Sequence, residues 1–341
     1  MDFHFEGQLV VEALVSKASS NPHDRRVMDG RLATFKHRGM TTADSRARGT
    51  VRAGPSTAVR VPPHTYFIVS AVFHYLGPAF AVLLFARVDV LGVAWLRIAS
   101  AAVVFAIWRP PWRIWRHLDR RTRRLLLAWG VVLAVMNICF YLAIARLPLG
   151  TVAAIEFVPI IALAALAART RRNAAALVAA VAGVYLLTDI GLVAEPFGIV
   201  FAVANAVLFS LYIVLGHRVA QSSAVQGIDG LALSMVIATV VAFPIGITDA
   251  TPAFGDAVSL SAGVGVGISS SVIPYVCDQF AMARLDRAAY ALMISLLPAT
   301  ATVIGVVVLI QIPTAAEILG IALVVSGIAL HQQRRPDSET S

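Results

Sequence analysis

The chain has 341 residues, of which 58% are hydrophobic and 14% charged, with a formal net charge of +9. A soluble protein of this size needs a polar surface that so few charges, so clustered, cannot supply; with a mean hydropathy of +0.79 the chain falls in the membrane class. The positive charge does not indicate a nucleic-acid partner, because the basic residues sit in a leading tail and in short links between apolar runs, which is how membrane topology distributes them.

Residues 1–64 hold ten Lys or Arg among many Ser, Thr and Gly, and no long apolar run. The stretch Leu9 to Val15 is too short, and with Glu12 too acidic, for a signal core. This segment reads as a disordered cytoplasmic tail whose charge suits anionic lipid. A later start at Met40 is the other reading.

Ten apolar segments follow, at about 66–86, 89–108, 125–145, 149–168, 174–191, 197–216, 228–248, 258–280, 288–310 and 315–331. Their lengths match what crosses a bilayer core. With the amino terminus inside, the inward links carry Arg109, Arg113, Arg116, Arg120, Arg121, Arg123, Arg124, Arg169, Arg171, Arg172, Arg218, Arg284 and Arg287, and the end of the chain adds Arg334 and Arg335. The outward links carry only Arg87 and Arg146. A bias of fifteen to two predicts an even number of spans in a cell membrane, both termini cytoplasmic.

Two segments repeat. Cys139-Phe140-Tyr141-Leu142-Ala143-Ile144-Ala145-Arg146-Leu147 and Cys277-Asp278-Gln279-Phe280-Ala281-Met282-Ala283-Arg284-Leu285 agree at five of nine positions, and each precedes an apolar run with a proline, Pro159 or Pro298. They lie five spans apart, so the copies point in opposite senses. The expected fold is an all-α integral membrane protein of ten transmembrane helices, built as two inverted five-helix repeats, 66–191 and 197–331, with a short tail at 332–341. Such repeats place substrate near the midplane.

An ionisable group inside a bilayer costs several kcal/mol, which makes it a functional candidate. Glu156, in the middle of the fourth segment, is read as a proton-binding carboxylate or a ligand for a substrate amine, against a structural hydrogen bond. Asp278 in the eighth serves the same role from the second half, or pairs with Arg284 at a helix end. Arg97 in the second is a counter-ion to a substrate carboxylate or to Glu156; a structural ion pair explains it as well. Asp189, at the outward end of the fifth segment, is near water and reads as bland. His74, Tyr75, Asn137, Tyr141, Asn205, Tyr212 and Gln279 are neutral polar groups that line a pathway or join helices. Pro78, Pro159, Pro274 and Pro298 sit within apolar segments and bend or gate them.

Other chemistry is missing from the sequence. No GxxxxGK[ST], HExxH or GxSxG occurs, and the two cysteines lack metal spacing, so no enzyme activity, cofactor or metal is expected. Gly263-Val264-Gly265-Val266-Gly267 follows no strand and reads as close helix packing.

Three stretches carry a family resemblance. They are Ala143 to Phe157, Leu211-Tyr212-Ile213-Val214-Leu215-Gly216, and Val272-Ile273-Pro274-Tyr275 leading into Ala281 to Leu285. With them the chain resembles the EamA-type drug/metabolite transporters, and within these the threonine/homoserine exporter group. The resemblance implies a ten-helix bundle of two inverted repeats that exports small metabolites, often amino acids, driven by an ion gradient. The chain departs from the family pattern at Val158, Asp278, Leu297 and Gln311-Ile312-Pro313. An exporter of drugs or other xenobiotics is the alternative, and a membrane scaffold without transport is a third reading.

Overall fold

The computed structural model of the chain describes residues 63–167, 170–221, 227–274, 277 and 296–330. Its helices are α1 (Pro63–Leu84), α2 (Val90–Trp108), a short α3 (Pro111–Trp115), α4 (Arg120–Ile144), α5 (Leu149–Ala167), α6 (Arg171–Ala194), α7 (Pro196–Gln221), α8 (Gly227–Phe254), α9 (Ala257–Gly267), α10 (Leu297–Leu309) and α11 (Ala315–Leu330). A π-helical turn, Ile268–Val272, continues α9. No strand occurs among the described residues. A bilayer core offers backbone amides no water, so an isolated apolar segment satisfies them only as a helix.

Five helical stretches have the length and apolarity of a span by themselves: Thr65–Leu84, Val90–Trp108, Arg120–Ile144, Pro196–Gly216 and Ile228–Phe254. Leu149–Pro159, Ala257–Val272, Leu297–Leu309 and Ala315–Leu330 are apolar but shorter. Large apolar side chains such as Val103, Ile107, Val178 and Val307 point outward, as they do on a lipid-facing surface. The chain is a multi-pass membrane protein.

The ends of the helices differ in places from the apolar pattern. Helix α4 begins inside an arginine run, because Asp119 caps it by accepting from the Arg121 amide at 3.1 Å and the Thr122 amide at 3.3 Å. Helix α8 runs through Pro244 and Pro252 to Phe254. The short α3 has no counterpart in the periodicity, being too brief to show one. Pro298 lies in the first turn of α10, where its missing N–H leaves no helical bond unmade.

Small residues bring the helices together, since lipid supplies no hydrophobic drive between them. A Cβ on Gly183 of α6 would stand 2.5 Å from the Gly320 carbonyl oxygen of α11, and one on Gly327 would stand 2.7 Å from that of Ala176. Gly246 of α8 lets Trp95 of α2 approach, and the Trp95 indole N–H donates to the Thr239 carbonyl at 3.2 Å. Gly216 of α7 faces the Trp129 ring of α4. The central apolar cluster joins Tyr75, Leu96, Tyr141, Ile155 and Ile199 from five helices.

Two regularities of this packing bear on topology. Set α1, α2, α4, α5 and α6 against α7, α8, α9 with its turn, α10 and α11. Exchanging the two sets turns the packed pairs α5·α7 into α10·α1, α4·α7 into α9·α1, and α4·α8 into α9·α2, all of them present, and leaves α2·α8, α5·α10 and α6·α11 unchanged. The links also meet in pairs. Arg87 contacts Asp256 at 3.5 Å, and the Leu149 amide donates to Gln311 Oε1 at 3.1 Å. Arg109 lies 3.9 Å from Asp229, and Arg172 donates to the Leu330 carbonyl at 2.8 Å. The first two contacts join links assigned to one side of the membrane; the last two join links assigned to the other.

Asp256 caps α9. Its carboxylate accepts from the Ser259 hydroxyl and from the amides of Val258 and Ser259, both at 3.1 Å. The Ser259 hydroxyl, the two amides and the nearby Arg87 guanidinium hold this carboxyl below the usual Asp range. A depressed folded value means that the stabilisation is present above the ordinary Asp pKa and is lost as pH falls through the lowered one. Asp256→Ala is therefore expected to lower the thermal midpoint at neutral pH. The difference should vanish where acid protonates the wild-type carboxyl, as melts in detergent across pH will check.

Candidate functional site

The interior polar groups gather around two centres. In the first, Glu156 sits midway along α5 and is 7% exposed. Its Oε1 accepts from Asn205 Nδ2 of α7 at 3.1 Å. Asn205 is buried, and its Oδ1 has no hydrogen-bond partner among the described residues. Pro159 follows three residues after Glu156. Lacking an N–H, it leaves the Ile155 carbonyl without its usual helical donor beside the carboxylate.

The second centre is Arg97, midway along α2 and half-buried. Its Nε donates to Ser270 Oγ at 2.9 Å, and Nη1 donates to Asn137 Oδ1 of α4. Nη2 reaches the Ser270 carbonyl at 3.4 Å. In an α-helical register that carbonyl would bond the N–H of residue 274, which is proline and has none. The guanidinium takes its place. It also lies over the Tyr141 ring, 5.5 Å from the centroid. Asn137 completes its own pairing by donating to the Leu133 carbonyl at 2.8 Å.

Glycines hold this second centre shut. A Cβ on Gly77 of α1 would stand 2.5 Å from Ser270 Cβ, and one on Gly267 would overlap Ser100 Oγ of α2. The π-helical turn is thus wedged between α1 and α2. Of the Gly-Val-Gly-Val-Gly run, Gly263 and Gly267 face α2 and Gly265 faces open space, so the run acts as close helix packing.

Arg97 and Glu156 form no ion pair within 4 Å, and neither has an opposite charge that near among the described residues. His74 and Tyr75 meet edge to face at 5.1 Å, and the buried Tyr75 hydroxyl has no partner among the described residues. The interior therefore presents a carboxylate, a guanidinium and orphaned polar atoms of both donor and acceptor type.

The other expected residues divide. Tyr212 packs on Trp129 at 5.5 Å, which joins α7 to α4, and stacks on Phe209 of its own helix at 6.4 Å. Pro78 lies within α1, and the Pro274 carbonyl accepts from the Ser70 hydroxyl at 3.3 Å. Asp278 and Gln279 lie outside the described residues, as does the Asp189 side chain. Ser270 is the functional-site residue that the apolar pattern hides. The signal for it was the triplet Ser269-Ser270-Ser271, three hydroxyls in a row within an apolar segment ahead of a proline.

A bundle of this kind, apolar outside and charged at mid-depth inside, defines a multi-pass membrane protein with a polar interior site. Residues 196–331 match the EamA-like transporter family. It is 29% identical over 266 residues to the threonine/homoserine exporter RhtA of Salmonella typhimurium, covering 76% of this chain and 88% of that one. Against RhtA of Escherichia coli the identity is 29% over 253 residues, covering 73% and 84%. A crystal structure of a protein 18% identical in sequence superposes with a TM-score of 0.53 over 81% of this chain and 99% of its own, which speaks for the fold alone.

Proposed function

We propose that this chain is a secondary active transporter that exports small metabolites, amino acids or analogues such as threonine and homoserine, by alternating access coupled to protons. The observation that carries the reading is Glu156, a carboxylate buried at mid-helix on α5 whose one described partner, Asn205, belongs to the other half of the bundle. A carboxylate in that place binds a proton or a substrate ammonium, and the helices that hold it are the ones that move past each other in such a cycle. Arg97 offers the opposite charge for a carboxylate of the substrate. Asp278 and Gln279 join the pathway from the second repeat, and Pro78, Pro159 and Pro274 are its bending points, whereas Pro298 starts a helix.

The exchange of packed helix pairs between the two sets supports two inverted repeats, 66–191 and 197–331. The pairing of links on common sides supports an even number of spans, and the arginine bias then puts both termini in the cytoplasm. The names of the relatives support amino-acid export over the alternative, drug export, and both over a scaffold.

Reconstituted in proteoliposomes, the protein should move threonine or homoserine when driven by an imposed proton gradient, with the solute moving opposite to the protons and flux measured over an amino-acid and analogue panel. Flux of xenobiotics alone would select the drug-exporter reading. No flux of any solute would leave the scaffold.

A further inference from the structure

We propose that the link between α2 and α4 is a binding site for the phosphate headgroup of anionic phospholipids. Residues 109–124 hold seven arginines and one acidic residue, Asp119. Asp119 is committed to the α4 cap, and of the seven only Arg109 has an ion-pair partner among the described residues, Asp229 at 3.9 Å. Arg113, Arg116, Arg120, Arg121 and Arg124 are all exposed. A guanidinium forks onto phosphate oxygens better than onto water, and five exposed ones fall within twelve residues of the chain.

The link is also an ordered platform. Pro111 and Leu118 are buried, and α3 packs on α8. Arg123 donates to the Arg116 carbonyl at 3.3 Å and lies over the Trp115 ring, 5.5 Å from its centroid. Trp108 and Trp112 project outward beside the arginines, 50% and 60% exposed. Indoles placed so occupy the depth of the headgroups, with acyl chains on one side and phosphate on the other. The remaining links of the same assigned side hold fewer described arginines, Arg171, Arg172 and Arg218, and Arg172 is spent on the Leu330 carbonyl. A charge spread only for topology needs neither this concentration nor the fixed platform with its flanking tryptophans. Basic pockets of this kind beside membrane helices hold anionic headgroups.

The test uses the full chain purified in a neutral detergent, with phosphatidylglycerol or phosphatidylcholine added. Phosphatidylglycerol should raise the thermal midpoint by about 3 °C or more, as a ligand of the folded state does, and phosphatidylcholine should not. The triple variant Arg113→Gln, Arg116→Gln, Arg120→Gln should lose most of that rise, and the double variant Arg171→Gln, Arg172→Gln should keep it. An equal rise in wild type and triple variant, or an equal loss in both variants, overturns the proposal. Native mass spectrometry of the wild type gives a second reading that depends on no variant. Preferential retention of phosphatidylglycerol supports the site, and equal retention of the two lipids overturns it.

Discussion

Glu156→Gln is expected to cut proton-driven efflux by about tenfold or more while leaving the amount of folded protein unchanged; the loss of about 1.4 kcal/mol in one step of the cycle is enough for a tenfold change. The substitution is nearly isosteric. Its amide oxygen still accepts from Asn205 Nδ2, which now bonds Glu156 at 3.1 Å. Its amide nitrogen is a donor beside Asn205, whose Oδ1 has no partner among the described residues. The fold therefore keeps its hydrogen bond and sheds only the charge and the site of protonation. Glu156→Leu differs, because it takes the partner from the buried Asn205 Nδ2 at a cost of about 1–3 kcal/mol, read as a lower thermal midpoint. Solute exchange across proteoliposomes without a gradient separates coupling from binding. If Glu156 carries the proton, the Gln variant exchanges labelled substrate yet fails to respond to an imposed gradient. Gradient-driven efflux at the wild-type rate would sink the role given to Glu156.

How much of this was legible follows from what each residue costs in lipid. Glu156, Arg97, Asn137 and Asn205 stood out in the sequence because a polar group in an apolar segment demands an explanation, and the structure brings them into two interior centres. What periodicity could not supply was their pairing. Arg97 and Glu156 sit on different helices, and nothing in the spacing says that Arg97 turns to Asn137 and Ser270 rather than to the carboxylate. Ser270 was hidden because serine is cheap in a membrane helix, bonding its own backbone as it does here to Val266. The π-helical turn was hidden for another reason. It depends on how one turn of α9 fits between α1 and α2, which is a property of three chain segments and not of one. The short α3 escaped because an arginine-rich link reads first as topology, and its packing on α8 has no periodic signature.

Gly267→Ala is expected to destabilise the protein by about 1–3 kcal/mol and to impair transport, whereas Gly265→Ala, two residues away, should be neutral or slightly stabilising. The two glycines share a helix and a composition, so propensity alone favours alanine at both by about 0.5–1 kcal/mol. Their surroundings differ. A Cβ at Gly265 meets nothing within 4 Å. A Cβ at Gly267 would overlap Ser100 Oγ and lie 2.7 Å from the Arg97 carbonyl oxygen. The serine hydroxyl can rotate away, although it would give up its bond to the Leu96 carbonyl at 2.7 Å. The Arg97 carbonyl is backbone and cannot, so α2 and α9 must separate. That movement falls on the 2.9 Å bond from Arg97 Nε to Ser270 Oγ, three residues further along. It cannot be relieved on the far side, because Gly77 of α1 already holds Ser270 at a distance that admits no added carbon. Thermal midpoints in detergent and efflux from proteoliposomes, measured on both variants, check the contrast. Equal behaviour of the two would mean that the glycine run is mere composition and that the turn is not wedged. The predicted split would mean that the geometry around Arg97 is set by helix approach, and that the guanidinium keeps its place only while the α2 and α9 backbones remain this close.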